Sequence, residues 1–196
     1  MRPNRDLISR SILLALVMAG GSAAADWRLV AEDSSLGFVS VKNARIAEGH
    51  QFTALSGSVD EEGAELVIEL ASVDTLIPIR DERMRELLFE VARFPTAIFR
   101  TAIDPASFED LAVGESRRMD VSGELALHGE RQPLTATLLV TRTASDRVSV
   151  ASTRPVVISA DAFALGGGVA RLREVAGLDS ITPMVPVSFA LSFVAD

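Results

Sequence analysis

The chain has 196 residues, 48% of them hydrophobic and 5% aromatic, with a formal charge of −8 at pH 7. That length fits one domain with a real apolar core, and the acidic balance argues against nucleic-acid binding, which needs Lys and Arg against phosphate. With no cysteine in the chain, a disulfide framework, a thiol nucleophile and a thiolate metal site are excluded.

Residues 1–25 differ from the rest. Arg2, Arg5 and Arg10 precede an apolar run over 12–19, Gly20, Gly21 and Ser22 break the run, and Ala23, Ala24 and Ala25 follow. This is the layout of a cleaved secretory signal peptide. The run is less than half the roughly 20 residues that a spanning helix needs. No cysteine follows it, so anchoring as a bacterial lipoprotein is not expected. The expectation is export to the periplasm, with residues 26–196 forming a single domain. The leader carries three Arg and one Asp, so its loss takes the charge from −8 to −10. Such a surface does not suit docking on anionic lipid headgroups through a basic face.

From Asp26 onward the dominant period is two, the mark of half-buried strands. Strands are predicted near 27–31, 35–42 and 50–58. Leu66, Ile68 and Leu70 then alternate with Glu65 and Glu69, after a hairpin turn at 60–63. Residues 80–91 read as a helix with Met84, Leu87 and Leu88 on one side. Asp81 and Glu82 sit in its first turn, where the dipole favours negative charge, and Pro95 forbids continuation. A strand near 97–103 follows. Met119, Val121, Leu125 and Leu127 oppose Arg118, Asp120, Ser122 and Glu124. Beyond a turn at 128–131, Leu134, Ala136, Leu138 and Val140 oppose Thr135, Thr137 and Thr141. Strands near 147–152 and 155–160 come next, after a turn at 144–146. Gly166, Gly167 and Gly168 are expected to open a loop, with a short helix at 169–176. The last strand sets Val185, Val187, Phe189, Leu191 and Phe193 against Ser188 and Ser192.

Roughly eight to ten strands with hairpin connections imply a sandwich or a closed barrel. Small residues at expected inward positions, Gly37, Ala54, Gly123 and Ala136, lean toward a barrel with room inside.

The order of motifs resembles the YceI-like polyisoprenoid-binding proteins of the bacterial periplasm over nearly the whole of 26–196. The resemblance rests on Trp27, the strand 34–38, Gly49, Phe52 and Leu55-Ser56-Gly57-Ser58-Val59. Its most specific stretch is Ala71-Ser72-Val73-Asp74-Thr75, then Arg80-Asp81, Leu87-Leu88-Phe89 and Arg93-Phe94-Pro95-Thr96-Ala97-Ile98-Phe99. Val121-Ser122-Gly123-Glu124-Leu125-Ala126-Leu127-His128-Gly129 and Gln132-Pro133-Leu134 complete it. The resemblance implies an all-β, lipocalin-like antiparallel eight-stranded closed barrel with one or two short helices, holding a long isoprenoid chain along its interior. Ser159 and Ala160 depart from it, standing where the family usually has Arg or Lys.

Candidate wall residues for an amphiphilic lipid, a polyisoprenoid or quinone-like molecule, are Leu36, Phe38, Phe52, Leu66, Ile68, Phe99, Leu125, Leu138, Val187, Phe189 and Leu191. A diphosphate head would call for Arg, which matches phosphate oxygens with a planar fork. Arg80, Arg83 and Arg85 cluster at the start of the predicted helix, and Arg171 and Arg173 lie near the glycines. The competing reading of the first three is a solvated helix face paired with Asp81, Glu82 and Glu86. His50 and His128, the only histidines, sit beside glycines at expected strand ends and read as turn residues. Neither belongs to a zinc-type grouping or a Gly-x-Ser-x-Gly elbow, and no catalytic set is expected. The alternative to a lipid carrier is a ligand-free barrel that serves as an interaction or stress-response module for an envelope redox partner.

Overall fold

The structure, a computed structural model, describes residues 26–196; the expected leader lies outside the described residues. Twelve strand segments follow one another: β1 (Trp27–Leu29), β2 (Ser35–Lys42), β3 (Ile46–Phe52), β4 (Leu55–Asp60), β5 (Gly63–Glu69), β6 (Val73–Asp74), β7 (Thr96–Thr101), β8 (Ser116–Leu127), β9 (Glu130–Ala144), β10 (Arg147–Ser152), β11 (Val156–Ser159) and β12 (Met184–Ala195).

These segments occupy eight lanes of one closed sheet. β1 and β2 form a single interrupted lane, since both pair with β12. β4 and β3 form the next lane, against β1 and β2 respectively. β5 and β6 pair in turn with β4 and β3. β7, β8 and β9 are one lane each. β10 and β11 share a lane along β12, which closes the ring. All pairings are antiparallel, so the topology is an up-and-down barrel closed where β12 pairs with β1 and β2, with the short segments β6 and β11 each paired on one side only. The predicted continuous strand over 50–58 is instead two segments. Its break at Thr53 and Ala54 is held by the Ser72 hydroxyl oxygen, which accepts their backbone N–H groups at 3.2 and 3.0 Å.

The register sets which side chains point inward. Leu36 faces Phe189 and Phe52, and Phe38 faces Val187. On β8 and β9 the inward row is Val121, Gly123, Leu125 against Ala136, Leu134, Gln132. Gly37, expected to face inward, pairs with exposed Gln51 on the outer face. Trp27 closes one end of the barrel. It is 2% exposed, meets Phe108 edge-on at 5.7 Å, and lies under the Arg142 guanidinium at 5.3 Å.

Two helices cap the other end. The first, α1 (Pro78–Arg83), continues as a π-helical turn over Met84–Leu88, with Phe89 N–H donating to the Met84 carbonyl at 2.9 Å. It therefore starts two residues before the predicted 80–91 span, because proline is tolerated in a first turn. A single turn, α2 (Ala106–Glu109), lies at the opposite end. α3 (Gly166–Val175) begins on the glycine triplet itself, which is helix rather than the expected loop. The reason is Gly168. A Cβ there would stand 2.7 Å from the Leu87 carbonyl oxygen and 2.8 Å from the Leu88 Cα. Backbone cannot yield as a flexible side chain can, so the two cap helices touch only because this residue has no side chain. Gly168→Val is expected to cost roughly 1–3 kcal/mol through overpacking. In thermal melts this is a fall of a few degrees or more for a domain of this size.

Candidate ligand-binding cavity

The barrel encloses a cavity of about 270 Å³, near the lower end of the ligand-sized range. It runs from the Trp27 and Phe108 end to the cap helices. All eleven residues proposed from sequence lie on its wall: Leu36, Phe38, Phe52, Leu66, Ile68, Phe99, Leu125, Leu138, Val187, Phe189 and Leu191. Seven of the eight lanes supply them, at alternate positions along each strand, which is why they converge on one lumen. Among the described residues of the wall, only Glu65 and Thr101 are charged or hydroxylated. Glu65 is held by Arg100 at 2.5 Å and Thr101 donates to the Ser122 carbonyl at 2.8 Å.

The wall has further members. Val148, Val150, Val156 and Ile158 come from β10 and β11, and Met84, Leu88, Phe89, Leu165 and Val169 from the cap. The alternation of Val148 and Val150 with Arg147 and Ser149 was a usable signal for the first pair. The cap residues carry no such signal, because their contribution depends on where the helices dock.

Above Phe38 and Phe52 the inner face turns polar. Phe38 pairs in register with His50, Ser40 with Glu48, and Lys42 with Ile46, so these side chains share the face that lines the cavity below. His50 is thus a mid-strand, inward-facing residue rather than the expected turn histidine. It is 7% exposed, its ring lies 5.1 Å from that of Phe38, and its Nε2 is 2.8 Å from the Ser40 hydroxyl. No protein group among the described residues satisfies its Nδ1. Burial, followed by the positive charge of Arg80, pushes the His50 pKa below its ordinary value.

The arginines separate. Arg80 donates to the Thr75 carbonyl at 2.7 Å and to Glu48 at 2.9 Å, so its partner is not Asp81, Glu82 or Glu86. Lys42 reaches the same Glu48 oxygen at 2.8 Å. The hydrogen bond from Lys42, helped by the charge of Arg80, holds the Glu48 carboxyl below its usual range. Asp81 accepts from the Thr75 hydroxyl and N–H at 2.5 and 2.8 Å. Arg85 makes only a 3.5 Å contact with the Ala71 carbonyl. Arg171 lies on α3 and pairs with Glu90 at 2.9 Å. His128 does occupy its turn, at φ +52°, with its ring 4.4 Å from that of Phe94 and tilted 52° to it. No group of three or more metal-ligating side chains occurs among the described residues.

The pattern of a YceI-like domain matches residues 27–193. The chain belongs to the YceI-like family. The YceI-like barrel is similar to a polyisoprenoid-binding domain from Saccharophagus degradans implicated in plant cell wall breakdown. The two share 40% identity over 87% of this chain and 98% of that one, with a TM-score of 0.85. It shares its fold with BcnA of Burkholderia cenocepacia, at 17% identity over 84% and 98% of the two chains and a TM-score of 0.62. The YCEI protein of Campylobacter jejuni is similar at 16% identity over 76% and 88%, with a TM-score of 0.50. Comparison with curated proteins gives no match.

His50 is expected to make the YceI-like barrel sensitive to acid. A folded-state pKa below the unfolded value means that the unfolded chain binds the proton more readily. Stability from this group is therefore complete above about pH 6.5 and is lost as pH falls below it. The carboxylates with lowered values act only below their own ordinary range, near pH 4.5. Urea melts of the wild type are expected to weaken between pH 7 and pH 5, and His50→Asn is expected to flatten that slope.

Proposed function

We propose that this protein binds and carries, or sequesters, a polyisoprenoid or isoprenoid-quinone-like lipid inside its barrel, and does so in the periplasm. The observation that carries the reading is the enclosed apolar cavity, walled by side chains from every lane. An oily lumen gives its ligand little beyond burial, and burial suffices. At roughly 0.8 kcal/mol per methylene-sized group, ten buried groups contribute about 8 kcal/mol, which corresponds to micromolar affinity before ordering costs. The polyisoprenoid-binding domain at 40% identity supports the tail chemistry. The layout of residues 1–25 supports export. The apolar lining of the lumen supports binding as the role.

The experiment is native mass spectrometry, with solvent extraction, on protein purified from the periplasm of an expressing host. Retention of a long-chain isoprenoid lipid in the folded protein is the expected result. Protein that is always empty, and that takes up no long-chain lipid or quinone when offered one, would remove the proposal.

A further inference from the structure

We infer that His50, at the polar end of the inner wall, is the head-group site, and that it takes an uncharged oxygen head, a hydroxyl or a carbonyl, rather than a diphosphate. The inference rests on the lipid-binding reading above and adds the chemistry of the end that the apolar lumen does not explain.

The inner face of β2 and β3 is graded. Leu36, Phe52 and Phe38 line the cavity. His50 follows directly, then Ser40 with Glu48, then Lys42 with Ile46 at the turn. His50 does not itself line the cavity, but its ring abuts that of Phe38, which does, so a head group held at this end of the lumen would have the imidazole as its neighbour. That imidazole is more than nine-tenths buried, lies against the Phe38 ring of the cavity wall, and has a buried Nδ1 without a protein partner. Buried polar atoms in folded proteins are nearly always bonded, and an orphaned one costs free energy until a partner arrives. The Nε2 is already engaged by Ser40, which leaves Nδ1 to face the ligand's oxygen. The neutral ring has one donor and one acceptor, so the Ser40 hydroxyl sets which role Nδ1 plays by rotating. A hydroxyl head can be served in either tautomer, and a carbonyl in the one with Nδ1–H.

Charge decides against the diphosphate. The cations nearest to His50 are Lys42 and Arg80, and both are committed to Glu48 at 2.8 and 2.9 Å. With Asp81 bound to Thr75 beside them, these four formal charges cancel. A diphosphate entering here must break those pairs or face Glu48 and Asp81 at close range. A neutral oxygen does neither. The side chains of Lys42, Glu48 and Arg80 are 26–30% exposed, so the rim reaches solvent and the head need not be fully desolvated.

The test uses the full-length secreted protein and prenyl compounds of one tail length with three heads: a hydroxyl, a diphosphate and none. Competition against a fluorescent prenyl alcohol gives the affinities. Wild type is expected to prefer the alcohol over both others. His50→Phe is expected to weaken the alcohol roughly two- to tenfold, the worth of one net hydrogen bond, and to leave the hydrocarbon unchanged or tighter. His50→Asn, which keeps a hydrogen-bonding atom near the Nδ1 position, is expected to recover most of the loss. Thermal melts of both variants separate a binding loss from a folding loss. Tighter binding of the diphosphate than of the alcohol by wild type would overturn the inference, as would an equal loss for alcohol and hydrocarbon in His50→Phe. Failure of every prenyl compound to bind would instead remove the lipid-binding reading itself.

Discussion

Ala136→Trp is expected to abolish long-chain lipid binding while the barrel stays folded. Ala136 faces the lumen from β9, between Leu134 and Leu138 and opposite Val121 on β8. An indole at this position has one direction to go, which is along the cavity. If it displaces about four methylene-sized groups of ligand, the loss is about 3 kcal/mol, or at least a hundredfold in affinity. The cost to folding is much smaller, because overpacking is expensive where a core is full and this one contains open volume. Thr137→Trp is the matched control. Its side chain points outward, where it donates to Asp120 at 2.7 Å, and it is expected to leave affinity unchanged. The measurement is titration with a fluorescent prenyl probe, alongside a melt. Full lipid affinity in the Ala136→Trp protein would mean that the tail does not use this lumen. Loss of the fold in both variants would point to a general intolerance of indole on β9.

The wall residues were legible because the physics that places them is local. In a strand, alternate side chains share a face, so Leu66 and Ile68, or Val187, Phe189 and Leu191, can be assigned together once a strand is assigned. The interruption of lanes was not legible. β12 pairs with β1 near its C-terminal end and with β2 in its middle, and the break between those segments answers to a partner some 150 residues away. Arg80 is a similar case. Its neighbours in sequence suggested Asp81, Glu82 and Glu86, yet its partner Glu48 is on β3 and is brought close only by closure of the sheet. The glycine triplet misled for the opposite reason. Glycine disfavours helix locally, but the crossing at Leu87 and Leu88 demands the absence of a Cβ, and packing overrode propensity. His50 held a signal that went unused. Two residues before Phe52 in the same strand must share its face, so placing Phe52 in the wall also placed His50 above it.

Phe189→Asp is expected to have the largest effect on the fold, with a distinctive dependence on pH. Phe189 sits on β12 opposite Leu36, its backbone N–H held by the Ser152 hydroxyl oxygen at 3.2 Å, and its ring lines the lumen. No cation lies on that wall among the described residues. A carboxylate there loses hydration without gaining a partner, an imbalance worth several kcal/mol and a large share of the stability of a domain this size. The charge can be relieved by taking up a proton, so the folded-state pKa of the new Asp is raised above the unfolded value near 3.9. Here the folded chain binds the proton more readily, and the penalty is full above the folded pKa and shrinks as pH falls toward 3.9. The variant should therefore regain stability on acidification, whereas the wild type, through His50, should lose it. Phe189→Ala separates the two parts of the effect, since it removes the ring without adding charge and should show no such recovery. A Phe189→Asp protein with normal yield, a normal melt and a flat pH profile would mean that the lumen is wet or that this strand faces the other way. Either outcome removes the oily interior on which the lipid-binding reading depends.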